Sequence, residues 1–421
     1  MVTFFLIITI LLFLLGVPLG ITIGFSSMIY IMLADITPMI IIQRLFTGID
    51  VSSLMAIPFF ILAGNIMLTG GLAQRMIDLA NSFIGRSTGG LALVTILGCM
   101  FFAAISGSAV ATAAALSTLM VPAMVKKGYD HDFAASVVST ASPMGVIIPP
   151  SVTLIIYGSL SGSSISDLYT AGIPAGIIVG SALLIVTYFI SKKKDYKGTG
   201  EPFQIKEFGT SLFRALWALG TPVILIGGVF SGIFTPTESG VAAVIYAVII
   251  GMFMYRELSF KQLITVFFDS AKTTATIMFI ITNASLFAFI LAYENIPSML
   301  VSGFLSMSDN PVFILLIINI ILLIFGMFLD TIAILVIVVP MFLPVIDALN
   351  IDPVFFGIVV IINTAIGMCT PPFGGTLLVT TDTTKVPLVQ LSSRSLFSIG
   401  ALVVALLIVT YFPYTVMFPL W

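Results

Sequence analysis

An all-α polytopic membrane protein built from two inverted-topology repeats is the fold this sequence predicts, and three observations predict it. Of 421 residues, 59% are hydrophobic and only 8% charged, against about 25% charged in a soluble chain, and mean hydropathy is +1.22. Apolar runs of about 18 residues or more recur, the length of a helix that crosses a bilayer. Glycine and proline interrupt those runs at matching places in the two halves. A soluble enzyme, a disordered chain and a nucleic-acid binder are excluded, because 16 Lys+Arg against 18 Asp+Glu leave a net charge of −2 and no basic face. A β-barrel would need short alternating strands in place of long continuous runs.

The first run, 3–33, has no basic segment ahead of it and is too long for a signal peptide. It reads as one retained helix bent near Pro18 and Gly20, with a cytoplasmic N-terminus. Spans follow at 52–70, 132–158, 170–190, 215–232, 241–255, 271–292, 353–380 and 396–420. Hairpin-length stretches lie at 91–122 and 311–346. If both are re-entrant and leave on the side they entered, the basic residues segregate. Arg75, Arg86, Lys126, Lys127, the run from Lys192 to Lys197, Lys206, Arg214, Arg256, Lys261, Lys272, Lys385 and Arg394 fall on one side, and Arg44 alone falls on the other. Positive charge marks the cytoplasmic side, so the C-terminus is expected on the opposite, outer side. A full crossing by either stretch would invert the later loops and erase the bias. The first hairpin dips in from the cytoplasm, and the second, flanked by Asp309, Asp347 and Asp352, from outside. The Lys192 to Lys197 run reads as a topology anchor in preference to a lipid-headgroup site.

The two halves repeat one plan. Phe60-Ile61-Leu62-Ala63 opens one and Phe289-Ile290-Leu291-Ala292 the other. Each leads through a short segment to a hairpin whose later arm ends at Pro122 or Pro340, then to a broken helix at 139–150 or 363–376. Five crossings separate the two starts, so the repeats are oppositely oriented. The organisation is 1–50, an N-terminal scaffold helix and connection; 51–190, repeat 1; 191–270, a cytoplasmic loop and scaffold helices; and 271–421, repeat 2. Interrupted segments at corresponding places in two halves point to a transporter's midplane site.

Prolines and glycines inside a span free carbonyls and amides that lipid cannot satisfy, at several kcal/mol each unless protein, water or an ion meets them. The first tip, Ala104-Ile105-Ser106-Gly107-Ser108-Ala109, is small and polar, with Ser106 or Ser108 as the N-cap of the second arm. The second, Gly326-Met327-Phe328-Leu329-Asp330-Thr331, has Asp330 able to cap. Each tip is expected to lie against the broken helix of its own repeat. Half-helix C-terminal ends, with their carbonyls and hydroxyls, suit a hard cation such as Na⁺, and N-terminal ends suit an anion. The predicted midplane holds no Lys or Arg, so backbone amides, Ser/Thr hydroxyls and bound cations must together neutralise an anionic substrate, which argues for cation-coupled uptake.

Simpler readings compete. The small residues of 103–118 also suit tight helix packing, and the Pro-Pro pairs also suit plain kinks. Asp330, an intramembrane carboxylate, is functional by default. Glu238 belongs in an outer loop, capping the next helix. Cys99 and Cys369 sit in apolar surroundings and read as small buried hydrophobes with no disulfide framework. His131 stands alone, so no zinc site is expected.

Several stretches, taken in order, resemble the large membrane (M) subunit of tripartite ATP-independent periplasmic (TRAP) transporters. They are Ile57-Pro58-Phe59-Phe60-Ile61-Leu62-Ala63-Gly64, Ser106-Gly107-Ser108-Ala109-Val110-Ala111, Ile148-Pro149-Pro150-Ser151, Gly232-Ile233-Phe234-Thr235-Pro236-Thr237-Glu238-Ser239-Gly240 and Gly367-Met368-Cys369-Thr370-Pro371-Pro372. The resemblance implies a Na⁺-coupled secondary transporter of elevator type. It also implies a separate small four-helix membrane subunit and a periplasmic substrate-binding protein that delivers an organic acid of the sialic acid or C4-dicarboxylate type, the former preferred. The family's sodium sites carry over onto Ser106, Gly107, Ser108, Ser142 and Gly145, and onto Gly326, Asp330, Thr331, Gly367 and Thr370. Ser108, Ser151, Asp330 and Thr376 are the candidate substrate contacts. A hairpin-bearing core is expected to slide on a scaffold of spans 3–33, 170–190, 215–255 and 396–420. The rival reading is an ion channel with re-entrant loops, but the two loops differ in sequence and face opposite ways. An intramembrane hydrolase is not expected, since Asp330 has no acidic mate and the one His lies in a loop.

Overall fold

Helix α1 (Val2–Leu14) stops where Gly16 adopts a φ of +79°. The Val17 N–H then closes on the Leu12 carbonyl at 3.1 Å, the reverse bond that ends many helices at a glycine. After Pro18, α2 (Leu19–Leu33) begins. The Phe5 ring lies 5.4 Å from that of Tyr30 and 5.2 Å from that of Phe287, so α2 returns alongside α1. The expectation of one bent helix over 3–33 is thus corrected: the run is a helical hairpin, and its N-terminus lies at the same end as Leu33. A left-handed glycine followed by proline reversed the chain where a kink had been expected. The computed structural model describes residues 1–196, 198 and 205–420. Lys197 of the charge map lies outside the described residues, as do the side chains at 73, 104, 105 and 207.

The connection holds α3 (Met39–Thr47), and the first repeat runs through a 3₁₀ turn (Ser52–Met55), α4 (Ala56–Thr69) and α5 (Leu72–Ile84). Helices α6 (Gly90–Ser106) and α7 (Ala109–Lys126) fold back on each other, so that the Thr95 hydroxyl at the far end of one lies 3.5 Å from the Met124 sulfur of the other. The broken helix is α8 (His131–Ala141), α9 (Met144–Ile147) and α10 (Val152–Ser161), bent by 42°. Helix α11 (Ile165–Lys193) closes the repeat. Next come α12 (Ile205–Phe230) and α13 (Pro236–Ile249), which continues as a π-helical turn (Ile250–Met254). Thr235 and Glu238 form a reciprocal capping box at the start of α13, as expected of Glu238.

The second repeat runs through α14 (Phe260–Tyr293), α15 (Ile296–Met307), α16 (Pro311–Gly326), α17 (Thr331–Ala348), α18 (Pro353–Met368), α19 (Gly375–Thr384), α20 (Leu388–Tyr411) and α21 (Tyr414–Met417). Among the described residues eight helices are long and apolar enough to cross a membrane, or nine with the bent pair counted as one span. From the tips to the breaks the repeats keep a register of 222 residues: α7 and α17 both begin and end that far apart, as do the starts of α8 and α18. Both second arms run past the prolines expected to end them, and the register pairs Pro122 with Pro344 rather than with Pro340.

Two groups of helices emerge from the packing. In the first, α4 lies against α13 and α14, with Gly240 tight on Phe59 and Phe60. Helix α2 sits on α14, where Gly20 meets Phe279 and Gly24 meets Asn283. The second group holds both hairpins, both broken helices, α11 and α20. Spans 170–190 and 396–420, expected in the scaffold, pack instead on the broken helices. The reason is a small-residue stripe on α11: Gly172 abuts Pro149, Gly176 abuts Ile148, and Gly180 abuts Met100, allowing close backbone approach. Short helices α5 and α15 connect the groups, each entered through a left-handed residue, Gly71 (φ +74°) or Asn295 (φ +54°).

Candidate functional site

At the first tip, Gly107 turns the chain with a φ of +57°, and the Ser108 hydroxyl accepts from the Ala111 N–H to cap α7. The Ser106 and Thr112 hydroxyls are 2.9 Å apart, and both lie within hydrogen-bond reach of the Ser108 carbonyl. The tip presses on its own repeat's break: a Cβ on Gly145 would stand 2.8 Å from the Ser108 carbonyl oxygen. Only glycine leaves room there.

The second tip meets its break more closely still, since a Cβ on Gly367 would fall 2.3 Å from the Gly326 Cα. The Thr331 hydroxyl lies 3.3 Å from the Met368 sulfur. Asp330 occupies the N-cap position of α17 beside the Thr331 and Ile332 amides. Its carboxylate also borders a cavity. Asp330 is the register mate of Ser108, and Gly367 of Gly145.

The breaks free carbonyls, and hydroxyls satisfy them. Ser151 and Thr153 both donate to the Val146 carbonyl at 2.8 Å. In the second repeat Thr376 donates to the Met368 carbonyl, the register mate of Val146, also at 2.8 Å. Ser151 and Thr376, named as substrate contacts, are therefore buried loop ties that do not line the cavity. Ser142 and Thr370 likewise donate to carbonyls of their own helices, Val138 at 2.6 Å and Ile366 at 2.7 Å.

Between the tips and the first helix group lies a cavity of about 300 Å³. Ser106, Gly107, Ser108, Asp330 and Thr331 line it from the tips, Thr153 and Met368 from the breaks, and Asn65 and Thr273 from α4 and α14. The sequence reading missed Asn65, Thr153 and Thr273. A lone Asn inside an apolar span is a signal in its own right, and the Asn65 amide donates to the Ser270 hydroxyl at 2.9 Å. A wider cleft of about 610 Å³ opens at one end between the groups, where the Ser53 and Ser159 hydroxyls are 2.8 Å apart.

Among the described residues, Asp330 is the one ionisable side chain lining the central cavity. A second carboxylate entering within about 5 Å would be repelled by about 3 kcal/mol at an effective dielectric of 20. The donors on offer are hydroxyl, carbonyl, amide and carboxylate oxygens, the hard set that suits a cation such as Na⁺. Among the described residues no group of three or more His, Cys, Asp or Glu gathers to hold a metal ion.

A family model described as "Tripartite ATP-independent periplasmic transporter, DctM component" matches residues 6–415. The chain is 41% identical over 404 residues to the isethionate TRAP transporter permease protein DctMQ of Oleidesulfovibrio alaskensis, covering 96% of this chain and 64% of that one. It therefore spans just under two thirds of that relative's length. It is 40% identical to the C4-dicarboxylate TRAP transporter large permease protein DctM of Pseudomonas aeruginosa, over 88% of this chain and 86% of the other. It is 37% identical to the sialic acid TRAP transporter large permease protein SiaM of Vibrio cholerae, over 96% and 95%. The crystal structure of the Alcanivorax borkumensis YdaH transporter superposes with a TM-score of 0.61 over 90% of this chain and 89% of that one at 13% identity, a likeness of fold alone.

Proposed function

This chain belongs to the DctM component family of tripartite ATP-independent periplasmic transporters, and on that premise we propose that it carries a small organic anion across the bacterial inner membrane together with Na⁺. The single observation behind the coupling is a lone carboxylate, Asp330, in a cavity that no Lys or Arg among the described residues lines. An organic anion enters such a cavity only after cations have offset the charge already there. Na⁺ binding at the two tip–break contacts supplies those cations, through Ser106, Gly107, Ser108, Ser142 and Gly145 on one side and Gly326, Asp330, Thr331, Gly367 and Thr370 on the other. Because the cation favours the state that accepts the anion, each raises the other's affinity. The names of the relatives support a carboxylate or sulfonate substrate of the sialic acid, C4-dicarboxylate or isethionate kind.

In this reading the hairpins, broken helices, α11 and α20 move as one body against α1–α4 and α12–α14, with α5 and α15 as arms and Gly71 and Asn295 as hinges. Both hairpins are re-entrant, from opposite sides. The N-terminal fold-back supports a periplasmic N-terminus, on the side of Arg44, with the C-terminus periplasmic as well. The partners are a separate small membrane subunit and a periplasmic binding protein. The test is uptake into liposomes holding the chain and both partners, offered labelled sialic acid, succinate and isethionate. Accumulation of one of them under an inward Na⁺ gradient, abolished when K⁺ replaces Na⁺, is expected. Equal accumulation without Na⁺ would refute the coupling.

A further inference from the structure

Far from the central cavity, the last turns of α11 and the first turns of α20 enclose a pocket of about 750 Å³ with two unlike ends. Lys193, Lys194 and Arg394 form one end, with Gln390 and Ser393 beside them. Phe189 and Phe397, 63% and 74% exposed, form the other. Phe189 precedes Lys193 by four residues on α11, and Phe397 follows Arg394 by three on α20, so each ring shares a helix face with a cation. The two helices run in opposite directions, one ending and one beginning at this membrane surface. Each ring is therefore one turn deeper in the bilayer than its cation.

The charges do not cancel. Arg394 pairs with Asp132 at 2.6 Å and Lys194 with Asp130 at 3.0 Å, while Lys193 has no carboxylate partner among the described residues. One positive charge is left over at the mouth of a slot whose walls are aromatic and exposed. A soluble anion would use the cations and leave the rings bare, and an apolar chain would do the reverse. A molecule with an anionic head and hydrocarbon tails uses both ends.

We propose that this pocket binds an anionic phospholipid, its phosphate at Lys193 and Arg394 and its acyl chains between Phe189 and Phe397. Basic pockets between helices at a membrane surface take such headgroups, and lysine stems suit the boundary. The pocket also includes Asp132 and Phe133 of the first turn of α8, the helix whose far end forms the first break. The bound lipid thus sits on the body that carries the hairpin tips.

The experiment is native mass spectrometry of the detergent-purified chain, titrated with phosphatidylglycerol or phosphatidylcholine of identical chains. Retention of phosphatidylglycerol at least fivefold above phosphatidylcholine is expected. Lys193→Gln and Phe189→Ala should each remove most of that preference, while Lys192→Gln, which deletes the same charge outside the pocket, should leave it. All three side chains are exposed, so folding is preserved, and a circular dichroism melt verifies it. Equal retention of the two lipids, an equal loss in Lys192→Gln and Lys193→Gln, or displacement of the lipid by millimolar inorganic phosphate would overturn the proposal.

Discussion

The two tip–break contacts share a backbone and differ in charge. Ser108 and Asp330 stand 222 residues apart at the N-caps of α7 and α17. Both line the cavity, but Ser108 brings a neutral hydroxyl that accepts from the Ala111 amide, whereas Asp330, beside the Thr331 and Ile332 amides, brings a carboxylate. Gly145 and Gly367 let the respective tips approach their breaks, the second more tightly than the first. The comparison teaches that the repeat fixes where dipoles are released, while one substitution in register decides which unit holds the fixed charge. The second unit should therefore dominate the cation response.

The sharpest way to break that asymmetry is Asp330→Asn, expected to reduce Na⁺-driven uptake by about 5- to 150-fold, the range of typical coupling energies, while the complex still assembles. Unchanged initial rates at limiting Na⁺ would return Asp330 to a structural role. Gly367→Ala comes next, since its Cβ would overlap the Gly326 main chain. A loss of about 1–3 kcal/mol by overpacking is expected, measured as a lower unfolding temperature with reduced uptake. Gly145→Ala, with a contact half an ångström looser, should lose less in the same assay; the opposite order would contradict the packing comparison. Ser108→Ala should cost about 1 kcal/mol of helix capping and reduce uptake only a few-fold.

The smallest effect belongs to a second register pair, Asp130 and Asp352. Asp352 caps α18 through the Val354 and Phe355 amides. Asp130 instead binds Lys194 at 3.0 Å, and the Lys194 and Tyr196 hydrogen bonds hold its carboxyl below the ordinary 3.8. A lowered folded-state value adds stability above that ordinary value and loses it as pH falls further. Melting of the purified chain should thus owe nothing to Asp130→Asn between pH 8 and 6 beyond a small constant offset. The wild type should close that offset only below about pH 4. An offset that disappears near pH 6 would contradict the assignment.

Local chemistry was legible in the sequence, and tertiary choice was not. Ser106-Gly107-Ser108 and Asp330 announced the tips, because small polar residues amid apolar runs have few other uses in a bilayer. Pro149-Pro150 and Pro371-Pro372 announced the breaks for the same reason. The N-terminal reversal at Gly16 was hidden because a kink and a turn carry the same glycine and proline, and only the Phe5, Tyr30 and Phe287 rings separate them. The place of α11 was hidden because its span is apolar with no polar face to orient it. The stripe Gly172, Gly176, Gly180 held the answer, but which partner it faced was not written locally. The roles of Ser151 and Thr376 were not legible, because a hydroxyl at a break serves a freed carbonyl as readily as a ligand.

The most direct measurement is the unfolding temperature of the purified chain in NaCl against KCl at matched ionic strength. Ligand binding to the folded state alone must raise it. Wild type should gain stability with Na⁺, Ser108→Ala should keep most of that gain, and Asp330→Asn should lose most of it. An identical Na⁺ response in wild type and Asp330→Asn would mean that the lone carboxylate holds no cation.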